Sequence, residues 1–401
     1  MTLRAPALDD PLRMRCADRE LLSLALIDAR NLTLRWLEVF EARGRHAEAG
    51  PGGAPSAVWL AGHAAWYQEW WIARHPQRSR GEHCDARATR LPAADRRADA
   101  WFGRHDGPRP ETAELRIYLA DTLETTLDLL AAAGGDDDAL HFYRAALLHE
   151  DRLGQALAER ACLLQLQRKP DPPPPLPPQV SRVDAEALFL PGARHRLGSE
   201  RGGFVPDNER WAETVQVPEF EIDAQAISWE RYVECAEDGG YDRPEVWTEA
   251  GQAWLASTQR RAPRDVEQLR GAVLLQRLGE MHRAAPGQAA AHLTRHEAQA
   301  WCRWAGRRLP TEPEWELAAC TARHRGFVFG DVFEWVGGSA RPWAGHAPTP
   351  GSLDRMPPPR ALGVLRGAAT TTPPRWRHPM ARRFAAPQDD TSACGFRSCA
   401  P

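Results

Sequence analysis

Lysine is almost missing from this chain: of its 51 basic residues only Lys169 is not arginine. That bias reads as a coding-composition effect, although arginine also suits the binding of carboxylates. Charge of one sign is missing too, since 54 acidic residues nearly cancel the 51 basic ones and leave a net charge of -3. Bulk electrostatics therefore gives no nucleic-acid or membrane-surface partner. No stretch offers ~18 uninterrupted apolar residues, and the start, MTLRAPALDDPLRMRCADRE, has no apolar core of signal-peptide length. These absences predict a soluble, cytoplasmic protein. The cysteines, at 16, 84, 162, 235, 302, 320, 394 and 399, form no CxxC pair, which excludes a zinc knuckle or a small disulfide framework.

Proline is abundant and locally concentrated. In KPDPPPPLPPQV, residues 169–180, consecutive prolines lack amide donors and favour extended geometry. The run divides the 401 residues into two differently textured halves, expected as 1–168, a linker at 169–182, and 183–401. Before the linker, helical periodicity recurs over 17–43, 55–75, 111–133 and 137–167. Trp59, His63, Trp66 and Trp70 share one stripe of the second helix. Leu115, Leu119, Leu123 and Leu127 share one of the third, and Phe142, Ala146, His149, Leu153 and Ala156 one of the fourth. Four such helices predict a bundle, in whose interior His63 and His149 can meet. A lone histidine on such a face is more often a satisfied core residue than a ligand, but two on facing helices raise the case for a metal.

After the linker the chain shortens into extended pieces rich in Gly, Pro and Trp. A helix is predicted at 295–305, stopping at Gly306, and another from Thr311, which can form a capping box with Glu314. The rest reads as a loop-rich α+β domain.

HLTRHEAQAWCRWAGRRLPTEPEWELAA (292–319), GDVFEW (330–335), VLRGAA (364–369) and GFRSCA (395–400), in that order, resemble the formylglycine-generating-enzyme-like domain, a C-type-lectin-related fold. PDNERWAETVQVPEFEID (206–223) and EDGGYDRPEVW (237–247) narrow the resemblance to the ergothioneine-synthase and selenoneine-synthase family. In that family a DinB-like four-helix bundle precedes the lectin-like domain. LAGHAAWYQEWW (60–71) is similar to the family's GHxAWFxE helix, and LLHEDRLGQAL (147–157) to its HExxHxE helix. The resemblance implies an oxidoreductase in which iron(II) and O2 couple a thiol or a seleno-sugar to the imidazole of hercynine (trimethylhistidine). Carried over by motif, His63 and His149 are iron ligands.

The departures are as informative as the matches. The third ligand position holds Leu153, which cannot ligate. Asp151 points about 200° around the helix from His149, and His141 lies roughly 12 Å along the axis, so neither replaces it. The family's catalytic tyrosine has no counterpart, because no tyrosine follows Tyr241, and no catalytic residue is assigned. The ending ACGFRSCA, with Cys394 and Cys399, looks more like the selenoneine branch. In GDVFEW, Asp331 and Glu334 offer oxygen donors suited to calcium. Arg308 and Arg366 are expected to bridge loops and Trp315 to fill core. Arg383 or Arg397 is expected to clamp a substrate carboxylate, while Trp66, Tyr67 and Trp70 are expected to wall its trimethylammonium group. Formylglycine generation is the weaker reading, since RHPMARRFAAP carries no copper-binding cysteine. The lost ligand and tyrosine favour a second class of function, an inactive relative that binds a betaine or thiol metabolite or scaffolds partner enzymes.

Overall fold

The computed structural model describes residues 6–50, 53–166, 180–344, 346–352, 354 and 362–401. The proline run at 169–179 lies outside the described residues. Two short helices, α1 (Pro11–Arg15) and α4 (Ala98–Phe102), accompany four long ones. These are α2 (Arg19–Glu41), α3 (Ala57–Gln68), α5 (Thr112–Ala131) and α6 (Asp137–Leu163), each within a few residues of its sequence-derived span. Their starts follow from side-chain capping. Asp18, Ser56 and Asp136 accept from amides of the first turn, and Glu111 and Glu114 form a reciprocal box on α5. The helix α3 continues as a wider π turn, Glu69–Ala73, which carries Trp70 and Trp71. α6 packs on both α2 and α3, and α5 on the same two.

Two expected stripes are displaced, and on α3 it is Trp59, His63 and Trp66, with Trp70 beyond, that stay half-buried while the rest of the helix is buried. The buried face of α5 runs Leu115, Tyr118, Leu119, Thr122, Thr126 and Leu130, leaving Leu123 and Leu127 only partly covered. Threonines can occupy the interior there because Thr126 donates to the Thr122 carbonyl at 2.8 Å. The helical core also contains an ion pair. Arg30 meets Glu150 at 2.6 and 3.1 Å, and Gln68 donates to the same carboxylate at 2.7 Å. Such a cluster favours one arrangement of α2, α3 and α6, because separating any partner strands a buried charge.

The second half is α+β. Its helices are α7 (Trp229–Glu237), α8 (Glu249–Thr258), α9 (Arg295–Trp304) and α10 (Glu312–Thr321). Thr294 with Glu297, and Thr311 with Glu314, cap the last two. Gly306 follows α9 with φ 65°, a conformation that favours glycine at a helix end. Two antiparallel pairs join β1 (Leu188–Leu190) to β4 (Phe220–Ile222) and β2 (Ala193–Leu197) to β3 (Glu213–Val217). A three-stranded sheet holds β5 (Val266–Gln268), β6 (Leu274–Arg277) and β7 (Glu280–Arg283). The central sheet has the order β10-β9-β8-β11, from Arg382–Ala385, Gly363–Gly367, Phe333–Trp335 and Cys394–Phe396. Trp229, Trp315 and Trp335 are fully buried around it.

The two halves meet along a polar seam. Arg375 forks onto Asp151 of α6 at 2.6 and 2.7 Å and reaches Asp28 of α2 at 2.8 Å, while the Trp376 indole donates to Asp151 at 2.6 Å. Among the described residues no helix is long and apolar enough to cross a membrane.

Candidate functional site

The stripes of α3 and α6 bring the two motif histidines together. The rings of His63 and His149 lie 5.0 Å apart between centroids and nearly perpendicular, at 82°. The Phe102 carbonyl, 2.9 Å from His63 Nδ1, must accept a proton there, which leaves Nε2 as the free lone pair. His149 Nε2 is buried with no hydrogen-bond partner. Burial holds both imidazoles neutral: it lowers His63 to about 4 against the pull of the Phe102 carbonyl, and it lowers His149 well below its usual value, helped by His63 and Arg152. Two neutral, facing imidazoles, one with its second nitrogen pinned by a carbonyl and the other orphaned, fit a metal ion held by two protein nitrogens.

They supply no third ligand. Among the described residues no group of three His, Cys, Asp or Glu side chains converges on a metal position. Leu153 is packed into the apolar cluster of α2, α3 and α6. Asp151 is consumed by Arg375 and Trp376, and His141 lies edge-on to Phe142 and tilted against Phe204, with Glu82 3.8 Å from its Nδ1.

Between α6 and the second domain opens a cleft of about 410 Å³, which neither histidine lines. Leu148, Asp151, Arg152, Gln155 and Glu159 reach it from α6, and Asn208, Asp354, Trp376 and Arg383 from the other side. Its charges are matched in pairs. Arg152 meets Asp354 at 2.9 Å, Arg383 meets Glu159 at 3.0 and 3.2 Å, and Arg15 meets Glu209 at 2.6 Å. Side-chain exposures of 36% and 37% leave Arg152 and Arg383 the most open of these guanidiniums. Apart from Arg383, sequence reasoning did not single out these residues. A signal was present nonetheless: Asp151, Arg152, Gln155 and Glu159 recur at helical spacing along a helix that is otherwise largely buried.

The other expected site residues divide. Trp66 is half-buried, stacks between His63 and Trp70 at 5.2 Å from each, and donates to Asp99 at 2.8 Å. Tyr67 is buried 4.5 Å from His149, with its hydroxyl donating to the Gly351 carbonyl at 2.7 Å. Trp70 departs from expectation, because its ring already has cations of the protein's own, Arg74 and Arg90, at 4.8 and 5.0 Å from its centroid. Arg397 is also a correction: fully buried, it binds Glu334 at 2.8 Å and the carbonyls of Asp223 and Val328, away from the cleft. The calcium expectation fails for the same reason. Glu334 is neutralised by Arg397 and accepts from Trp315, while Asp331 pairs with Arg182 at 2.9 and 3.1 Å. Arg366 sits wholly inside the core on Glu312 and Glu316, whereas Arg308 bridges to Glu314 at 2.8 Å as expected. Cys394 and Cys399 are fully buried free thiols. Burial raises both, Cys399 to about 12, so they act as packing groups.

A family model for the sulfatase-modifying factor enzyme 1-like domain matches residues 174–329. The chain thus joins a helical region to a domain of that class. It is 27% identical over 431 residues to the hercynine oxygenase of Mycolicibacterium smegmatis, covering 91% of this chain and 97% of that protein. The hercynine oxygenase of Mycolicibacterium thermoresistibile is 27% identical over 430 residues, covering 91% of this chain and 93% of that protein. The formylglycine-generating enzyme of Streptomyces coelicolor matches over 186 residues at 26% identity, 41% of this chain and 54% of that protein. The chain is a relative of the hercynine oxygenases along nearly its whole length.

Proposed function

We propose that this chain is a cytoplasmic non-haem iron(II) oxygenase with a DinB-like bundle, which uses O2 to join a selenium or sulfur donor to the imidazole carbon of hercynine. The observation that carries the reading is the neutral pair His63 and His149, 5.0 Å apart, on helices of which one, α6, also walls a cleft of about 410 Å³ with Leu148 and Arg152. The chain's similarity to hercynine oxygenases supplies the substrate class. Iron held there would supply the redox activation of O2 and of the donor. With two protein nitrogens instead of three, solvent and substrates must complete its shell, and affinity is correspondingly weak.

The cleft residues do the binding. Arg383 and Arg152 are within reach of a carboxylate, and each already holds one as a placeholder. Glu159 and Asp354, freed by that exchange, balance the fixed cation of hercynine. The donor is a seleno-sugar or a cysteine-type thiol, with the sequence ending at Cys394 and Cys399 favouring selenium.

A second reading has its own support. Leu153 at the missing ligand position and the lack of any tyrosine after Tyr241 suit an inactive relative that binds a betaine or thiol metabolite. One experiment separates the two. Protein, iron(II), O2 and hercynine are incubated with a seleno-sugar, cysteine or glutamylcysteine, and mass spectrometry looks for a new carbon–selenium or carbon–sulfur bond. The oxygenase reading expects product that disappears without O2, with the selenium donor ahead. Calorimetric binding of hercynine without product from any donor leaves the second reading standing.

A further inference from the structure

A second, smaller cavity of about 50 Å³ is enclosed where the end of α6 meets β6 and the start of α7. It is separate from the cleft, with Glu159 as their shared wall. Most of its polar lining is already engaged. Glu159 accepts from Arg383 and Ser392, Arg264 binds Asp390, and Gln165 bonds the Gln276 carbonyl and the Gly279 amide.

Three groups are left over. Trp229, only 1% exposed, has an indole N–H without a partner, and the Thr371 hydroxyl is likewise buried and unpaired. His292 gives Nδ1–H to the Asp390 carbonyl at 3.0 Å, which leaves its other nitrogen as an acceptor. Beside it stands Asp265, which is bonded by the Gln165 side chain and still has oxygen lone pairs to offer; burial raises its carboxyl against the opposing influence of His292, Arg264 and that bond. Orphaned buried donors are rare in folded proteins and call for a ligand or water.

The backbone marks the same place. Among the described residues, non-glycine positive φ occurs at Gln165, Gln259, Asp265, Leu278 and His292. Gln165 and Gln259 end helices, and Leu278 turns between β6 and β7. Asp265 (62°) is the third residue of a turn closed by the Val266 amide on the Pro263 carbonyl at 3.4 Å, whereas His292 (61°) neither ends a helix nor turns a hairpin, and it lines this cavity. Strain of this kind concentrates at binding sites.

We infer that this cavity is a binding site for a small molecule with a carbonyl oxygen at one end and an N–H donor at the other, a primary carboxamide or a small amino acid. The carbonyl accepts from Trp229 and Thr371, and the N–H group donates to Asp265 and His292. The volume holds on the order of four water-sized groups, which suits a ligand of about four or five heavy atoms. The site stands whether or not the cleft is an oxygenase centre.

Titration of the isotope-labelled protein with acetamide and with glycine tests it, followed through the Trp229 indole N–H signal, which is the one lost in Trp229→Phe. Acetamide and glycine distinguish the two sources of the shared chemistry. The expected result is a saturable shift with one of them, at least five-fold weaker in Asp265→Asn, a substitution that tolerates the positive φ. Acetate and ethylammonium, each with half the pattern, should bind at least five-fold more weakly in the wild type. The inference is overturned if neither probe moves the signal while the variants remain folded, if the half-ligands match the full ones, or if a high-resolution crystal soaked in both probes holds only water.

Discussion

In the second domain Arg397 and Glu334 are both almost wholly buried, and every guanidinium nitrogen of Arg397 has a partner. In the helical half His149 is buried and His63 half-buried, yet they face one another with His149 Nε2 unsatisfied. Both arrangements put polar side chains inside the protein, and motif reading marked members of both as site residues. The difference is satisfaction. A buried group whose bonds are all made inside the protein is committed to the scaffold, whereas one left open is available to a ligand.

Breaking the satisfied side of that comparison should have the largest effect. Arg397→Ala strands the Glu334 carboxylate in the core, and about 3–5 kcal/mol of stability should vanish in denaturant unfolding. A loss below about 1 kcal/mol would show that the pair is not the anchor described. At the seam, Asp151→Ala removes the acceptor shared by Arg375 and Trp376. It should lower stability by about 3 kcal/mol and split calorimetric unfolding into two transitions, one for each half.

A third expectation concerns acid. Burial lowers His141 and His378 to about 4, in each case against nearby carboxylates that pull the other way. A histidine depressed in the folded state binds fewer protons there than when unfolded. Its stabilisation is complete above about pH 6.5 and is lost as pH falls through about 4. Each residue should contribute up to about 3 kcal/mol to that decline. His141→Phe and His378→Asn should flatten the dependence over that window. An unchanged slope would mean that neither histidine is buried neutral.

The open side of the comparison is sharpened by filling it. Leu153→His places an imidazole one turn beyond His149 and should tighten iron(II) binding at least a few-fold. Without metal it should cost about 1–3 kcal/mol for the unpaired polar group. An unchanged titration would mean that position 153 does not face the metal.

Periodicity made the helices legible, since α2 and α5 each hide one face, although α3 and α6 are buried over most of their circumference. The same reading missed that α5 buries Thr122 and Thr126, since periodicity does not show that the Thr122 carbonyl takes the Thr126 hydroxyl. His63 and His149 were legible as partners from their motifs, although the stripe of Trp59, His63, Trp66 and Trp70 is only half-buried while the rest of α3 is buried. Arg397 and Glu334 were misread as ligand-binding groups, because sequence names an arginine and a glutamate without revealing that they bind each other. The cleft was largely illegible. Its pairs join residues as distant as Glu159 and Arg383, and only the docking of two differently built halves brings them together.

The central claim is that the open histidine pair is a metal site. Anaerobic reconstitution with iron(II), followed by metal analysis of the wild type and of His63→Ala/His149→Ala, tests it most directly. The account expects iron in the wild type, weakly held but saturable, and its loss from a double variant that keeps the wild-type fold by circular dichroism. Equal iron in both proteins would contradict it.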